Sequence, residues 1–224
     1  MSTLLLTGGS GEIGGAISKK FQSRGWQVIS PTRAEMDLSD IGSISAYMNQ
    51  LKIPIDVFVH CAGFNEPKAA GVLTHEDVQT TMQINALSFY DIILHLLGNF
   101  KQKKKGVILA ISSIYGGYSR KGRLAYVASK HALNGMVKTL ALELGEFNIR
   151  VNGVAPGFVN TRMTYKNNSP ETIEMLKKRI PMGNLISPEE VANLSCFMCG
   201  DESNFINGEI ITIDSGYTVG LGQE

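Results

Sequence analysis

The sequence predicts a single α/β domain built on a doubly wound parallel sheet with helices on both faces. Three observations indicate this. Short apolar segments alternate with longer helical patterns along the whole 224-residue chain. The apolar segments are continuously hydrophobic rather than alternating, which is typical of strands buried on both faces. A glycine-rich turn joins the first strand to the first helix, as expected for a parallel sheet built from βαβ units.

The strands are predicted from short apolar runs rich in β-branched residues. They cover residues 4–6, 28–30, 55–60, 107–112, 150–155 and 209–214. The helices predicted between them cover residues 13–23, 77–97, 125–144 and 188–199. The last helix begins with a serine N-cap, a proline and two acidic residues, which favour a helix N-terminus.

The segment after the second strand is unusually short. A parallel crossover takes a dozen or more residues, and the chain leaves little room for one before Asp37. A further strand is therefore expected to be absent, or reduced to a few residues near Met36. The predicted sheet has six to seven strands and is shortened after the second.

Composition limits the kinds of protein that the chain can be. Its length suits one well-buried domain, expected to span residues 1–224. The net charge of +1 provides no field that would attract nucleic acid or an anionic membrane. No apolar run approaches the roughly 20 residues of a membrane-spanning helix, and the N-terminus lacks a signal-peptide pattern. The chain is therefore expected to act in the cytoplasm, with neither nucleic acid nor membrane as a partner.

The three cysteines fit a reducing compartment. Cys196 and Cys199 form a C-x-x-C pattern late in an apolar helix, whereas a redox pair favours a helix start. A zinc site would need two further ligands at similar spacing, and the sequence offers none. We therefore interpret both residues as core packing and expect no metal site.

A glycine-rich segment lies between the first predicted strand and the first helix. A turn with few side chains lets the backbone approach a pyrophosphate, and the helix N-terminus supplies unpaired N–H groups. The position of this segment at the start of an α/β chain favours dinucleotide binding over a plain tight turn. The predicted phosphate-binding residues are Gly8, Ser10, Gly11, Glu12, Ile13 and Gly14.

The end of the second strand indicates which cofactor is bound. An acidic residue there would bind the ribose hydroxyls of NAD, whereas an arginine accommodates the 2′-phosphate of NADP. The sequence places Thr32-Arg33 at this point, with no carboxylate at the strand end. NADP(H) is therefore favoured over NAD, with Arg33 on the phosphate and Asp37-Leu38 beside the adenine. A solvated loop arginine is the alternative.

Tyr126 and Lys130 are four positions apart in a predicted helix and therefore share one helix face. A lysine ammonium beside the phenol favours its ionised form, which otherwise appears only near a pH of ~10. Ser113 ends the preceding strand, where its hydroxyl could hydrogen-bond a substrate oxygen. The pair alone also fits a solvated helix face. Its combination with the phosphate loop favours an acid/base pair.

Taken together, these motifs resemble the short-chain dehydrogenase/reductase family, and within it the branch of 3-oxoacyl-carrier-protein reductases. The resemblance covers nearly the whole chain and implies a Rossmann-type fold. It implies that Tyr126 is the acid/base and that Lys130 lowers its pKa and holds the nicotinamide ribose. It further implies that Ser113 orients the carbonyl oxygen and that Asn85 anchors a water chain to Lys130. The cofactor contacts that it implies beyond these are Cys61, Ala62, Gly63, Pro156, Gly157, Val159 and Thr161.

Two positions depart from the family pattern. Glu12 stands where the family usually has glycine, so its carboxylate is expected to turn toward solvent or a basic neighbour. His60-Cys61-Ala62-Gly63 replaces the family's Asn-Asn-Ala-Gly. We interpret His60 as a structural hydrogen-bonding residue at the strand end rather than as a catalytic group. Neither departure removes a catalytic side chain.

The sequence thus predicts an NADPH-dependent oxidoreductase that reduces a ketone, such as a 3-oxoacyl group, to a secondary alcohol. A reductase of a sugar or polyketide-like ketone remains open, as does a non-catalytic NADP-binding sensor or scaffold. An epimerase or dehydratase with the same Tyr–Lys pair would normally need an added C-terminal substrate domain. The resemblance implies a homotetramer, with a homodimer as the alternative.

The expected substrate pocket is partly apolar. Its walls are predicted to include Phe64, Tyr115, Tyr118 and Phe158, beneath a lid drawn from residues 162–182.

Three basic residues precede the catalytic helix, namely Arg120, Lys121 and Arg123. They could dock an acidic carrier protein that presents the substrate. A solvated loop explains them equally well.

Overall fold

Six parallel strands form the centre of the molecule, whose computed structural model describes residues 2–220. The strands are β1 (Thr3–Thr7), β2 (Gln27–Ile29), β3 (Val57–His60), β4 (Gly106–Ile111), β5 (Ile149–Pro156) and β6 (Ile210–Ile213). Their order across the sheet is β2-β1-β3-β4-β5-β6. Each predicted strand is present within two residues at either end. No additional strand forms near Met36 within the described residues, so the shortened sheet is confirmed.

Helices cover both faces of the sheet. They are α1 (Glu12–Gln22), α2 (Ile41–Gln50), α3 (His75–Met82), α4 (Ser88–Lys103), α5 (Leu124–Leu144), α6 (Arg162–Lys166), α7 (Pro170–Arg179) and α8 (Pro188–Cys199). Helices α1 and α8 pack together on one face, while α2, α4 and α5 cover the other. Helices α2, α6 and α7 lie outside the predicted ones. Across residues 2–220, no helix is both long and apolar enough to cross a membrane.

The single helix predicted over residues 77–97 is wrong in its interior. A five-residue π-helical turn, Gln83–Leu87, separates α3 from α4. A π-helical turn widens the helix by one residue and occurs frequently at functional sites. Here Asn85 lies at the centre of that turn, fully buried, with its side chain bonded to the loop after β3. These bonds favour the irregular turn at a place where apolar periodicity alone predicts a regular helix.

Two apolar cores lie on opposite sides of the sheet. One includes Phe58, Phe89 and Phe100 and packs the sheet against α2, α4 and α5. The other packs the opposite face against α1 and α8, and includes Cys196 and Cys199. Both cysteines are buried free thiols, in agreement with their interpretation as core residues. Burial on both faces explains the continuously apolar strands.

The chain leaves β1 in one direction to form β2 and then returns to the other side of β1 to form β3. In open α/β sheets, ligands bind in the crevice beyond the carboxyl ends of the strands at such a reversal. The loops after β1 and β3 meet at this point. The topology therefore places a binding site beside the glycine-rich loop.

Candidate active site

A cavity of about 440 Å³ opens at the carboxyl ends of β1 to β5. Its walls include every predicted site residue except Asn85. These are Gly8, Ser10, Gly11, Glu12, Ile13, Gly14, Arg33, Asp37, Leu38, Cys61, Ala62, Gly63, Ser113, Tyr126, Lys130, Pro156, Gly157, Val159 and Thr161. One cavity therefore brings together the glycine-rich loop, the Tyr–Lys pair and the loop after β5.

The glycine-rich loop packs closely against the end of β3. Gly8 has a φ of +73°, and a Cβ there would lie 2.7 Å from the backbone of Ala62. A Cβ on Gly14 would collide with the carbonyl oxygen of Gly8. Helix α1 begins after Gly11, which provides no side-chain cap, so the first-turn N–H groups stay available to an anion. This cradle fits the diphosphate of a dinucleotide.

Glu12 does not leave an unpaired carboxylate at this cradle. Its Oε1 accepts hydrogen bonds from Arg162 Nε at 2.6 Å and from the backbone N–H of Arg162 at 3.2 Å. Partial burial favours the protonated carboxyl, but the bonds from Arg162 outweigh it and lower the pKa of Glu12. The basic neighbour expected for Glu12 is therefore Arg162, at the start of α6.

The loop after β2 presents an arginine to the cavity. Arg33 is 81% exposed at its side chain, and its Nε lies 3.1 Å from Asp37 Oδ2. Glu35, for which no role was predicted, turns back so that Oε2 accepts bonds from the N–H and hydroxyl of Thr32. The backbone bond from Thr32 lowers the Glu35 pKa most. Arg33 can therefore turn toward a ligand by leaving one exposed ion pair.

Ser113, Tyr126 and Lys130 meet at the inner wall of the cavity. Ser113 follows β4, while Tyr126 and Lys130 lie one turn apart in α5. Lys130 Nζ donates to the carbonyl oxygen of Ile111 at 2.8 Å and lies 5.7 Å from the centroid of the Tyr126 ring. The strand end and the helix thus present three polar groups to one region.

The protonation of this group follows from its burial. Burial raises the pKa of Tyr126 to about 12, although a hydrogen bond with Ser113 and the charge of Arg123 oppose the rise. The expectation that Lys130 lowers this pKa is therefore corrected, because burial outweighs the nearby charges. Burial lowers the pKa of Lys130 to about 8. At neutral pH the phenol is therefore protonated and able to donate, while most of Lys130 carries its charge.

Asn85 connects three parts of the site from behind the cavity wall. Its Nδ2 donates to the carbonyl of Phe64 and to Ser129 Oγ, both at 2.9 Å, and its Oδ1 accepts from the Phe64 N–H at 2.7 Å. Ser129 in turn donates to the Tyr126 carbonyl at 2.8 Å. Asn85 therefore joins the π-helical turn, the loop after β3 and helix α5.

His60 is fully buried at the end of β3, with Nδ1 3.0 Å from Thr7 Oγ1. Burial, aided by the charge of Lys130, lowers its pKa to about 3, so the ring is neutral at physiological pH. It is absent from the cavity wall. Both observations fit a structural hydrogen-bonding role.

The end of the cavity next to Tyr126 combines residues of the predicted apolar pocket, of the predicted lid and of the basic turn before α5 with Asn65, for which no role was predicted. Phe64, Tyr115 and Phe158 line it as predicted, but Tyr118 does not and is 46% exposed. The further wall residues that face this end include Asn65, Arg120, Arg123, Met163, Asn167 and Asn168.

The proposed docking role of the basic residues before α5 needs correction. Arg120 and Arg123 line the cavity, and Arg123 is only 6% exposed. Lys121 alone of the three is exposed. Sequence proximity suggested one basic surface, but the turn before α5 directs two of the side chains inward.

The fold and the site define a class: a nicotinamide-dependent oxidoreductase with a Tyr–Lys pair and a strand-end serine. The family model described as Enoyl-(Acyl carrier protein) reductase matches residues 30–218. The chain belongs to the short-chain dehydrogenase/reductase family.

Relatives within this family differ in activity. The chain is 32% identical to a 3-oxoacyl-(acyl-carrier-protein) reductase of Thermotoga maritima, covering 96% of this chain and 97% of the relative. It is also 32% identical to a 3alpha-hydroxysteroid dehydrogenase of Mediterraneibacter gnavus, covering 94% of each. The solved structure of a 4-hydroxyisoleucine dehydrogenase complexed with NADH superimposes with a TM-score of 0.91 at 26% identity, covering 98% of this chain and 100% of that one. Similarity of this degree establishes the oxidoreductase family without selecting a substrate.

Proposed function

We propose that the protein is an NADPH-dependent reductase that converts a ketone to a secondary alcohol, and that the same groups support the reverse oxidation. The observation that carries this proposal is the convergence of Ser113, Tyr126 and Lys130 on a cavity that begins at a phosphate-binding cradle. A nucleotide-binding scaffold without catalysis would not require these three groups at the inner wall.

The chain's own residues provide the proton and the orientation. Tyr126 donates its phenolic proton to the substrate oxygen, because its raised pKa keeps it protonated at neutral pH. Ser113 donates a second hydrogen bond to that oxygen, which stabilises the negative charge that develops there. The positive charge of Lys130 favours the tyrosinate left after the transfer. When bound, the nicotinamide supplies the hydride.

NADP(H) is the proposed cofactor. The cradle at Gly8 and the uncapped start of α1 would hold its diphosphate. Arg33 would pair with the 2′-phosphate, beside Asp37 and Leu38. The NADH complex of the similar 4-hydroxyisoleucine dehydrogenase makes NAD the competing choice.

The substrate class includes 3-oxoacyl-type ketones, in keeping with the Thermotoga relative's name, and other small ketones remain candidates. A carrier-bound substrate would enter at the lid formed by α6 and α7. A homotetramer or homodimer is also proposed. Its support is the exposed apolar face of Leu87, Tyr90 and Leu94 along the π-helical turn and α4.

The decisive experiment is a steady-state assay of Tyr126→Phe with NADPH against a panel of ketones that includes acetoacetyl thioesters. Loss of the phenolic hydroxyl removes the proton donor, so kcat should fall about 10³-fold or more. The affinity for NADPH, measured by fluorescence titration, should change little. Near-normal kcat in Tyr126→Phe would sink the mechanism.

A further inference from the structure

Two arginines stand at the catalytic end of the cavity. Arg123 is the residue before α5, and Arg120 precedes it in the same turn. Both line the cavity that contains Ser113 and Tyr126. The charge of Arg123 acts on Tyr126 directly, because it opposes the rise of the tyrosine pKa. The arginines therefore face the region where a substrate would sit against the proton donor.

The hydrogen-bond partners of both guanidinium groups are neutral. Arg123 Nη1 donates to Asn65 Oδ1 at 3.2 Å, and Nη2 donates to the carbonyl oxygen of Asn167 at 3.0 Å. Arg120 Nη1 donates to the hydroxyl of Tyr115 at 3.1 Å. The guanidinium carbon of Arg120 lies 5.9 Å from the centroid of Phe158.

No carboxylate within residues 2–220 forms an ion pair with Arg120 or Arg123. The carboxylates in the cavity wall are Glu12 and Asp37, and each is already paired with another arginine. This end of the cavity therefore carries two arginine charges that the carboxylates of the wall do not compensate, in addition to the charge of Lys130.

An arrangement of this kind is unfavourable without a ligand. A buried charge without a counter-charge costs free energy, and two like charges in one pocket repel each other. Burial and the charge of Arg120 both lower the pKa of Arg123, which is the physical mark of that cost. A guanidinium presents parallel N–H donors that match the two oxygens of a carboxylate. An anionic ligand would relieve the repulsion and gain charge-assisted hydrogen bonds.

We propose that the natural substrate is a small oxo acid, or the corresponding hydroxy acid, whose own carboxylate binds between Arg120 and Arg123 while its carbonyl oxygen faces Tyr126. This inference rests on the proposed function and names its substrate class. Arg120 and Arg123 become specificity-determining residues. Asn65 and Asn167 become positioning residues that hold Arg123 in place.

The test compares short oxo acids of varied chain length with their methyl esters, which keep the ketone and lack the charge. Wild-type enzyme with NADPH should favour at least one acid over its ester by about 10-fold or more in kcat/KM, as expected for a charge-assisted hydrogen bond. Arg120→Met and Arg123→Met should each reduce this acid-to-ester ratio about 10-fold. Arg123→Lys, which keeps the charge, should retain part of the preference. The exposed Lys121→Met is the matched control and should leave the ratio unchanged.

The ratio separates charge recognition from structural support. Loss of the hydrogen bonds from Arg123 to Asn65 and Asn167 would lower kcat/KM for acids and esters alike. Loss of the positive charge would lower kcat/KM for the acids alone. Binding of the same pairs to the Tyr126→Phe enzyme with NADPH, measured by calorimetry, repeats the comparison without turnover. Equal affinities for acid and ester there, together with equal turnover by the wild type, would overturn the inference and leave the reductase function intact.

A carrier substrate also contains an anion, in the phosphate of its phosphopantetheine arm. Acetoacetyl coenzyme A and the phosphate-free acetoacetyl N-acetylcysteamine thioester distinguish that source. If the arginine variants lost activity on the former alone, with no preference for any free oxo acid, the small-acid assignment would be wrong. Failure of the wild type on every ketone and alcohol would refute the reductase function instead, and the calorimetric comparison would still decide whether an acid binds.

Discussion

At the scale of single residues, burial drives the two ionisable side chains of the Tyr–Lys pair toward their neutral forms. For Tyr126 this raises the pKa to about 12, and for Lys130 it lowers the pKa to about 8. In the proposed mechanism, the phenol therefore holds its proton until a substrate oxygen gains negative charge. In that mechanism the charges of Lys130 and Arg123 would compensate the tyrosinate in a poorly hydrated site, where electrostatic interactions are stronger than in water.

Arg33 determines cofactor choice in the proposed function. In Arg33→Ala the ratio of kcat/KM for NADPH to that for NADH should fall about 10-fold or more, because a charge-assisted contact with the 2′-phosphate is lost. Steady-state kinetics with both cofactors measure it. Arg24→Ala, an exposed arginine outside the cavity wall, should leave the ratio unaltered. An unchanged ratio in Arg33→Ala would mean that Arg33 is only a solvated loop residue.

At the scale of elements, the site is held by contacts between segments that are distant in sequence. The π-helical turn Gln83–Leu87 places Asn85 against the loop after β3 and against α5. Thr161 caps α6 by accepting a bond from the Thr164 N–H. The first residue of α6, Arg162, then reaches Glu12 at the start of α1. The phosphate cradle and the proposed lid are therefore coupled through one ion pair.

The Glu12–Arg162 pair should matter for cofactor affinity. Arg162→Gln leaves the Glu12 carboxylate unpaired beside the cradle, where it would repel a diphosphate. The Kd for NADPH should rise about 3- to 30-fold, the range expected for like charges several ångströms apart near a surface. Fluorescence titration measures this Kd.

A second substitution tests the cause of that loss. Adding Glu12→Gln to Arg162→Gln removes the repelling charge and should restore most of the affinity. Lys177→Gln, which breaks the exposed pair with Glu174 on α7, is the matched control and should have no effect. A double variant as weak as Arg162→Gln alone would show that Arg162 acts in some other way.

At the scale of the whole molecule, one central sheet supports both stability and the site. Its two faces carry separate apolar cores, and its carboxyl edge carries the cavity. β3 lies between β1 and β4, and it ends in the buried His60. The backbone of Ile84 and Asn85 in the π-helical turn lies against the His60 ring. A change in the charge of this ring would therefore disturb the sheet and the π-helical turn together.

His60 makes folding sensitive to acid. Its pKa is about 3 in the folded chain and near 6.5 when unfolded, so the unfolded state binds a proton first as the pH falls. The contribution of neutral His60 to the free energy of unfolding is complete above pH ~6.5. It is lost progressively as the pH falls toward the folded-state pKa, by up to about 1.4 kcal/mol per pH unit.

Urea unfolding at pH 7 and pH 5 measures this contribution. When the pH falls from 7 to 5, the free energy of unfolding should decrease by about 2 kcal/mol more in the wild type than in His60→Asn, because the variant lacks the titrating ring. His75→Asn, which replaces an exposed histidine at the start of α3, serves as the control and should lose as much unfolding free energy as the wild type. Equal losses in the wild type and His60→Asn would contradict the assignment.

The sequence by itself determined the features that depend on neighbours along the chain. Continuous apolar runs predicted all six strands, the short segment after β2 predicted the missing strand, and helical spacing placed Tyr126 beside Lys130. The glycine-rich turn was predicted for the same reason, because backbone conformation and one-turn spacing follow from local residues. The spacing of apolar residues did not reveal the π-helical turn, because the contacts of Asn85 that favour this turn are with the loop after β3.

Only the tertiary structure decided which charges meet. Glu12 and Arg162 are 150 positions apart, and Arg123 lies 58 positions from its partner Asn65. The sequence left Arg120, Lys121 and Arg123 open as a docking surface or a solvated loop, yet Arg120 and Arg123 line the cavity. Side-chain direction in a turn and pairing across the sheet edge are set by the path of the whole chain. For this reason the sequence predicted the reaction class, while the proposed charge of the substrate rests on side-chain positions that only the fold shows.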